Sequence, residues 1–304
     1  MDIQNDLLRK ALSEPFGWNL SGQSLLEGHS SSNVAEAKGQ SLTTVDKELS
    51  ERAARRLVAE EVNKQKNMEE VVKRADEILQ ANPIESSSME ESDLGWVEDC
   101  LDGAGKAFDD GLKGYWAKLL AGEIKTPGTY SKRIINFMKM VSRKDAERIR
   151  RICPYVMYDI KGRASIFRYN DSKINYAEIS FLSEMQLLDP SSFLVKQYKF
   201  DRDRGNAFLM KKDVGFLLNI ENKQYDLPIY AFTELGNEVM SIIDDSDADF
   251  DYLKRFAVSI TKNTKILAVN CGNFTSIDDR VVFDNNENYF EIPEGSNHLV
   301  KTPK

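Results

Sequence analysis

Histidine is nearly absent: His29, in a Ser- and Gly-rich stretch, and His298, close to the last residue, are the two in 304 residues. Neither has neighbours that would hold it as a general base or zinc ligand, so histidine chemistry is not expected. Cysteine is as sparse. Cys100, Cys153 and Cys271 are odd in number, widely spaced and lack CxxC spacing, which fits reduced thiols better than a disulfide framework. No apolar run approaches the roughly 20 residues needed to span a bilayer. The first residues include acidic Asp2 and Asp6 and no apolar core, so neither a membrane span nor a secretory signal is expected and the location expected is cytoplasmic. Phosphate-loop (GxxxxGK[ST]) and nucleophile-elbow (GxSxG) patterns are missing. Gly103-Ala104-Gly105 lacks a preceding strand and a third glycine, and reads as a turn or helix start. No cofactor and no catalytic residue are expected. An excess of positive charge is missing too: 41 basic against 49 acidic residues give −8, which argues against nucleic acid covering the whole surface and permits a local basic patch.

What is present reads as mainly α with an α+β part: a helical N-terminal domain followed by a winged-helix-like domain. Residues 1–42 form a short docking helix, with Ile3, Leu7, Leu8 and Ala11 as its stripe, and a Ser-, Gly- and Asn-rich linker. Residues 43–141 are the helical domain. Thr43 to Ala81 contains no Pro or Gly, Thr43 is a candidate N-cap, and the polar stretch Asn63–Asn67 leaves open a junction between two helices. Its apolar side, from Val45 to Leu79, has imperfect heptads and no adjacent segment that covers all of it. A homodimer or higher oligomer through this region is therefore expected. Glu85 to Asp110 is an acidic, folded face anchored by Leu94, Trp96, Val97, Leu101 and Phe108. Leu112, Tyr115, Trp116, Leu119 and Leu120 follow at i, i+3, i+4, i+7 and i+8, the spacing of an amphipathic helix. Pro127-Gly128 turns the chain, and Ser131 is a candidate cap for the next helix. Residues 142–245 read as a helix, a short strand, a helix, two or three strands and a helix capped by Thr233, an α+β order with winged-helix character. Residues 246–304 add a helix near Phe250–Thr261, a strand at Ile266–Val269 and a loose tail from Asn285.

Charged clusters carry the remaining chemistry. Glu98, Asp99 and Asp102 share one side of a helix and could hold a divalent cation, and the run Asp244, Asp245, Asp247, Asp249 and Asp251 has calcium-like spacing. The run lacks the central Gly and final Glu of a calcium loop, so solvation is the default for both, and no metal is assigned. Lys132, Arg133, Lys139, Arg143, Lys144, Arg148, Arg150 and Arg151 stand against Asp145 and Glu147, a local balance of eight minus two, or +6. This basic face either contacts nucleic acid or pairs with the acidic Glu85–Asp110 segment; the second is favoured.

The stretch Tyr115-Trp116-Ala117-Lys118-Leu119-Leu120-Ala121-Gly122-Glu123-Ile124, then Pro127-Gly128-Thr129-Tyr130-Ser131, resembles the signature of a bacterial domain-of-unknown-function family, DUF2806. Gln65-Lys66-Asn67-Met68, Trp96 and Phe232-Thr233-Glu234-Leu235-Gly236-Asn237-Glu238 are similar to its other segments, with Phe232 where Leu is usual. More distantly the core resembles the Abi-alpha proteins, which implies abortive infection or phage conflict. The resemblance supplies no catalytic residue. Trp116, Leu119, Leu120, Gly122, Glu123, Pro127, Gly128 and Ser131 are therefore read as structural, and the chain as a non-enzymatic interaction module whose partner is a protein or a second copy. A nucleic-acid-binding winged-helix regulator is the alternative.

Overall fold

The stretch without Pro or Gly folds as one 38-residue helix, α1 (Thr44–Ala81). The computed structural model describes residues 8, 12, 44–81, 93–107, 109–169, 173–189, 196–199, 205–260, 265–277 and 280–283. Helix α1 runs straight through Asn63–Asn67, because Asn67 is buried and its Nδ2 donates to the Gly105 carbonyl at 2.9 Å. A buried amide with a partner avoids the penalty of an unmatched polar group, so no junction forms where the apolar stripe lapses. Val71, Val72, Ala75 and Leu79 bury the C-terminal half of α1 against α2 (Leu94–Gly105) and α3 (Asp110–Lys125). The two halves of α1 differ sharply. In the N-terminal half Leu49, Leu57, Val58 and Val62 are 48–64% exposed.

Two of the acidic residues start helices. Asp93 accepts hydrogen bonds from Gly95 N and Trp96 N ahead of α2, and Asp109 from Gly111 N and Leu112 N ahead of α3. Each satisfies backbone donors that the first turn leaves unpaired. Trp96, Val97 and Leu101 are buried as anchors of α2, whereas Leu94 is 53% exposed at its first turn. Helix α4 (Lys132–Met140) buries Ile134, Ile135, Phe137 and Met138; Ser131 occupies its N-cap position but its side chain makes no capping hydrogen bond. These helices belong to the first of two compact units, Met1–Arg143. Leu8 and Leu12 are helical and fully buried. Ile3, Leu7, Ala11, the linker, Thr43, Glu85, Glu90, Glu91, Phe108 and the tail from Asn285 lie outside the described residues.

The second unit, Lys144–Lys304, is an antiparallel sheet with helices. Helix α5 (Arg143–Ile152), which begins one residue before the division, leads through the 3-10 turn Cys153–Tyr155 to β1 (Val156–Tyr158) and β2 (Ala164–Phe167). Helix α6 (Tyr176–Glu184), β3 (Lys196–Lys199), β4 (Gly205–Lys211), β5 (Val214–Ile220), β6 (Gln224–Leu227), β7 (Ile229–Ala231), α7 (Glu234–Ile243), α8 (Phe250–Ile260), β8 (Ile266–Ile277) and β9 (Arg280–Phe283) follow. Seven strands form one sheet in the order β7-β2-β1-β4-β5-β8-β9, and β3 pairs separately with β6. Every pairing among the described residues is antiparallel. Thus β8, expected to span four residues, spans twelve and lies along the whole of β5. Phe256 of α8 stacks on Phe167 of β2 with centroids 3.9 Å apart, and Tyr252 Oη donates to the Phe167 carbonyl at 3.0 Å. This aromatic contact ties α8 to the sheet.

Trp116 is 2% exposed, and its ring lies so close to Gly103 of α2 that an added Cβ there would overlap it. Trp116→Ala should lower unfolding free energy by about 3–5 kcal/mol, the usual cost of emptying a buried aromatic site. Chemical denaturation should show a reduced midpoint; an unchanged midpoint would contradict the assignment of this ring to the core.

Candidate functional site

The signature segment of the first unit is a packing device. Along α3, Leu119 and Leu120 are fully buried beside Trp116, and Glu123, two residues before the helix ends, is itself only 2% exposed. Its carboxylate accepts from Gly128 N at 2.7 Å and from Tyr130 N at 3.0 Å, so it clamps the turn that Pro127 begins. Gly128 has φ +80°, a conformation that L side chains resist. Gly122 lets the Tyr130 ring lie over the helix: a Cβ there would stand 2.7 Å from the ring. Trp116, Leu119, Leu120, Gly122, Glu123 and Gly128 thus each have a structural task, and Ser131 stands at the cap position of α4 without a side-chain capping hydrogen bond.

The Phe232–Glu238 segment does the same in the second unit. Thr233 Oγ1 accepts from Gly236 N at 2.9 Å and donates to the Gln186 carbonyl at 2.8 Å, and Gly236 lies against the Leu187 carbonyl with no room for a Cβ. Asn237 Oδ1 accepts from Ala164 N at 2.6 Å, joining α7 to the first residue of β2.

The basic face meets carboxylates of its own unit. Lys132 lies 3.3 Å from Asp99, Lys139 3.6 Å from Asp102 and Arg143 3.2 Å from Asp109 in the first unit. In the second, Arg148 Nε donates to Glu178 at 2.9 Å, with its guanidinium 4.1 Å from the Phe181 centroid, and Arg150 is 3.5 Å from Asp245. Lys144 and Arg151 are exposed, and Arg133 is exposed on α4. Asp102 also meets Lys64 at 2.7 Å and Lys106 at 2.9 Å, so this carboxylate, a candidate cation ligand by sequence, is surrounded by ammonium groups. Their hydrogen bonds, Lys64 first, hold Asp102 down at about 2. No cluster of three metal-ligating side chains occurs among the described residues.

The aspartate run is likewise bound up in ion pairs. Asp244 and Lys211 are 3% and 2% exposed, and Lys211 Nζ donates to Asp244 Oδ2 at 2.5 Å and to the Cys153 carbonyl at 2.6 Å. Tyr158 Oη donates to the same Oδ2, and Ser246 satisfies Oδ1 through its N–H and hydroxyl. Burial lowers the Lys211 pKa, with Asp244 opposing, and raises that of the Tyr158 phenol. Lys212, at φ +51° in the β4–β5 turn, donates to Asp247 and to the Asp245 carbonyl, each at 2.7 Å. Asp249 accepts from Tyr252 N at the start of α8 and pairs with Lys173 at 2.9 Å. Sequence reasoning passed over Lys211 because its partner lies 33 residues away and no local period links them.

One cleft of about 330 Å³ opens in the second unit, lined by Ile174 and Ile179 with Tyr169, Tyr176, Tyr230 and Arg168. Its described lining offers aromatic faces and a guanidinium, chemistry suited to recognition, and no carboxylate, thiol or imidazole is among the described lining residues. All three cysteines are free and buried, and burial raises each thiol pKa.

The architecture is that of a helical unit and an antiparallel α/β unit, each secured by a short buried clamp. The family model described as "Protein of unknown function (DUF2806)" matches residues 51–257, and the chain belongs to that family. Among curated proteins and among solved structures, none matches.

Two outcomes follow from these ties. Asp244→Ala should cost about 3–5 kcal/mol, because it strands a buried ammonium; equilibrium unfolding would show this, and a loss below about 1 kcal/mol would contradict the geometry. Asp102, held below its ordinary 3.8, contributes stability that is present above pH 3.8 and is lost as pH falls towards about 2. Asp102→Asn should therefore flatten the acid limb of stability across that window, as read by melting temperature against pH.

Proposed function

We propose that the chain is a cytoplasmic, non-enzymatic protein-interaction module, a sensor or regulator in bacterial or prophage defence against phage. The observation that carries the interaction role is the apolar surface of α1, where Leu49, Leu57, Val58 and Val62 are exposed on a helix whose other half is core. Four large apolar side chains held in water on one half of a helix are costly unless something covers them. The setting in phage defence, of the abortive-infection kind, rests on the distant resemblance of the Trp116–Glu123 core to Abi-alpha proteins. No described helix is long and apolar enough to cross a membrane.

A second reading is a nucleic-acid-binding regulator, with residues 142–245 as a winged-helix-like module. The exposed Lys144 and Arg151 favour it. Against it, Lys132, Lys139, Arg143, Arg148 and Arg150 already pair with carboxylates, so phosphates would have to displace existing partners.

Titration with a DNA duplex at several salt concentrations separates the two readings. Phosphate contact would give log affinity falling with log salt at about −0.9 per contact. We expect no such binding near physiological salt, and Arg143, Lys144, Arg148 and Arg151 replaced together by Gln should instead lower the melting temperature. Tight, salt-dependent binding lost in that variant would overturn the interaction-module reading.

A further inference from the structure

The cleft of the second unit gathers its lining from three places in the chain. Tyr230 of β7 stands opposite Ile166 of β2, and just past β2 the Arg168 N–H donates to the Pro228 carbonyl at 2.9 Å, so the guanidinium and this tyrosine are carried on neighbouring segments of the sheet. Tyr169 follows. Its ring centroid lies 6.1 Å from that of Phe256 and 6.3 Å from that of Tyr252, so α8 braces it. Buried Ile174 and half-buried Ile179 of α6 supply the apolar part of the lining. Asn175 spends its Oδ1 on the N–H groups of Ala177 and Glu178, which fixes the first turn of α6 and leaves the amide NH2 as what it offers a ligand. Tyr176, the first residue of that helix, is exposed and presents its ring at the mouth.

Tyrosine rings around one small space suit either a flat aromatic ligand or a cation held against their faces. Arg168 decides between them. Its guanidinium repels a cation, and no carboxylate among the described lining residues offsets that charge. What fits is a flat ring that stacks on tyrosine and carries an oxyanion, since the guanidinium's fork of N–H donors matches a phosphate. Size sets the limit: about 330 Å³ is at the low end for small-molecule sites, room for one such unit. We infer that this cleft binds a nucleoside monophosphate, with the base stacked on Tyr176 and Tyr230 and the phosphate on Arg168 and the Asn175 amide. A free nucleotide is favoured over one within a strand. A strand needs a row of cations along its backbone, whereas the described lining has one guanidinium. The cations beside it are engaged, Lys173 with Asp249 and Arg148 with Glu178 of α6, each at 2.9 Å. This inference goes beyond the interaction role given to α1 and does not depend on it, because the cleft lies wholly in the second unit and α1 in the first.

Calorimetric titration of the full chain with AMP tests the inference. Saturable binding is expected with a dissociation constant on the order of 100 μM, since one stacked base and one phosphate supply it. Tyr176→Ala should weaken it about tenfold, the loss of one stacking face. Arg168→Gln should leave AMP no better a ligand than adenosine. Both residues are exposed, so both variants should keep the parent melting temperature. Lys144→Gln, exposed and outside the cleft, should bind AMP as the parent does. No saturable binding at millimolar AMP would overturn the inference, as would AMP binding that both cleft substitutions leave unchanged. Inorganic phosphate binding as tightly as AMP would make the ring irrelevant, and tetramethylammonium doing so would make the cleft a cation cage; either result overturns it. So does tighter binding of indole-3-acetate, which would make the ligand an aromatic acid, or of an adenosine oligonucleotide, which would make it a strand. None of these results bears on α1, so the interaction role stands or falls separately.

Discussion

Glu123 holds the first unit's chain reversal from inside the protein. A carboxylate at 2% exposure would be heavily penalised without donors, and the backbone N–H groups of Gly128 and Tyr130 supply them. That single anchor fixes where α3 stops and how the chain enters α4. It also places Tyr130 against Gly122, which closes the end of α3. With α3 so oriented, Trp116 meets Gly103 of α2, and the end of α2 presents the Gly105 carbonyl to Asn67 of α1. Core packing and polar satisfaction are one connected chain of contacts here, running from a turn to the middle of a 38-residue helix. Disturbing its polar links should therefore cost more than a typical surface hydrogen bond, because each leaves a buried group unpaired.

Opposite charge is distributed to the same end. Lys132 and Lys139 of α4 face Asp99 and Asp102 of α2, Arg143 at the start of α5 faces the α3 cap Asp109, and Asp102 gathers Lys64, Lys106 and Lys139. Exposed pairs of this kind are worth little singly, about 0–1 kcal/mol, so their value lies in orientation and in the shared carboxylate. The Lys211–Asp244 pair differs in kind. Fully buried, with Tyr158, Ser246 and the Cys153 carbonyl completing its hydrogen bonds, it joins the end of β4 to the segment after α7. Such a pair adds little net stability over an apolar replacement but makes any broken version expensive.

Local patterns in the sequence were legible where one element carries its own signal. The i, i+3, i+4 stripe around Trp116, the Pro127-Gly128 turn and the Thr233 cap all appear in the structure. Longer-range facts were hidden. Asn67 looks like a lapse in an apolar stripe and is in fact a buried donor. Gly103 looks like a turn cue, yet it lies inside α2 because a tryptophan from another helix needs its space. Strand β8 is expected from sequence only at Ile266–Val269, and Asn270, Gly272 and Asn273 weaken the alternation beyond it. Pairing with β5 overrides this, with Gly272 opposite Gly215 and the rings of Phe208, Phe274 and Phe283 close around Gly215. The turn after β4 lacks the usual Gly or Asn: Lys212 adopts φ +51° while its ammonium reaches Asp247. As for the basic face, composition announced the charge, but only the fold could say which carboxylates meet it.

The family signature and the exposed apolar residues of α1 are different parts of the molecule. Trp116, Gly122, Glu123 and Gly128, like Thr233, Gly236 and Asn237, are accounted for by packing and backbone hydrogen bonds, which leaves little of their chemistry free for a ligand. A shared motif of this kind specifies a scaffold. Outside those motifs, the described residues left open to solvent include Leu49, Leu57, Val58 and Val62 of α1 and, at the cleft, Tyr176, which is 84% exposed. Helix α1 is the clearest case, since one continuous face serves as core over its second half and stands in water over its first. At 48–64% exposed, Leu49, Leu57, Val58 and Val62 withdraw far less apolar surface from water than Val71, Val72, Ala75 and Leu79, which are 0–2% exposed, so the stability α1 draws from packing comes mainly from its second half.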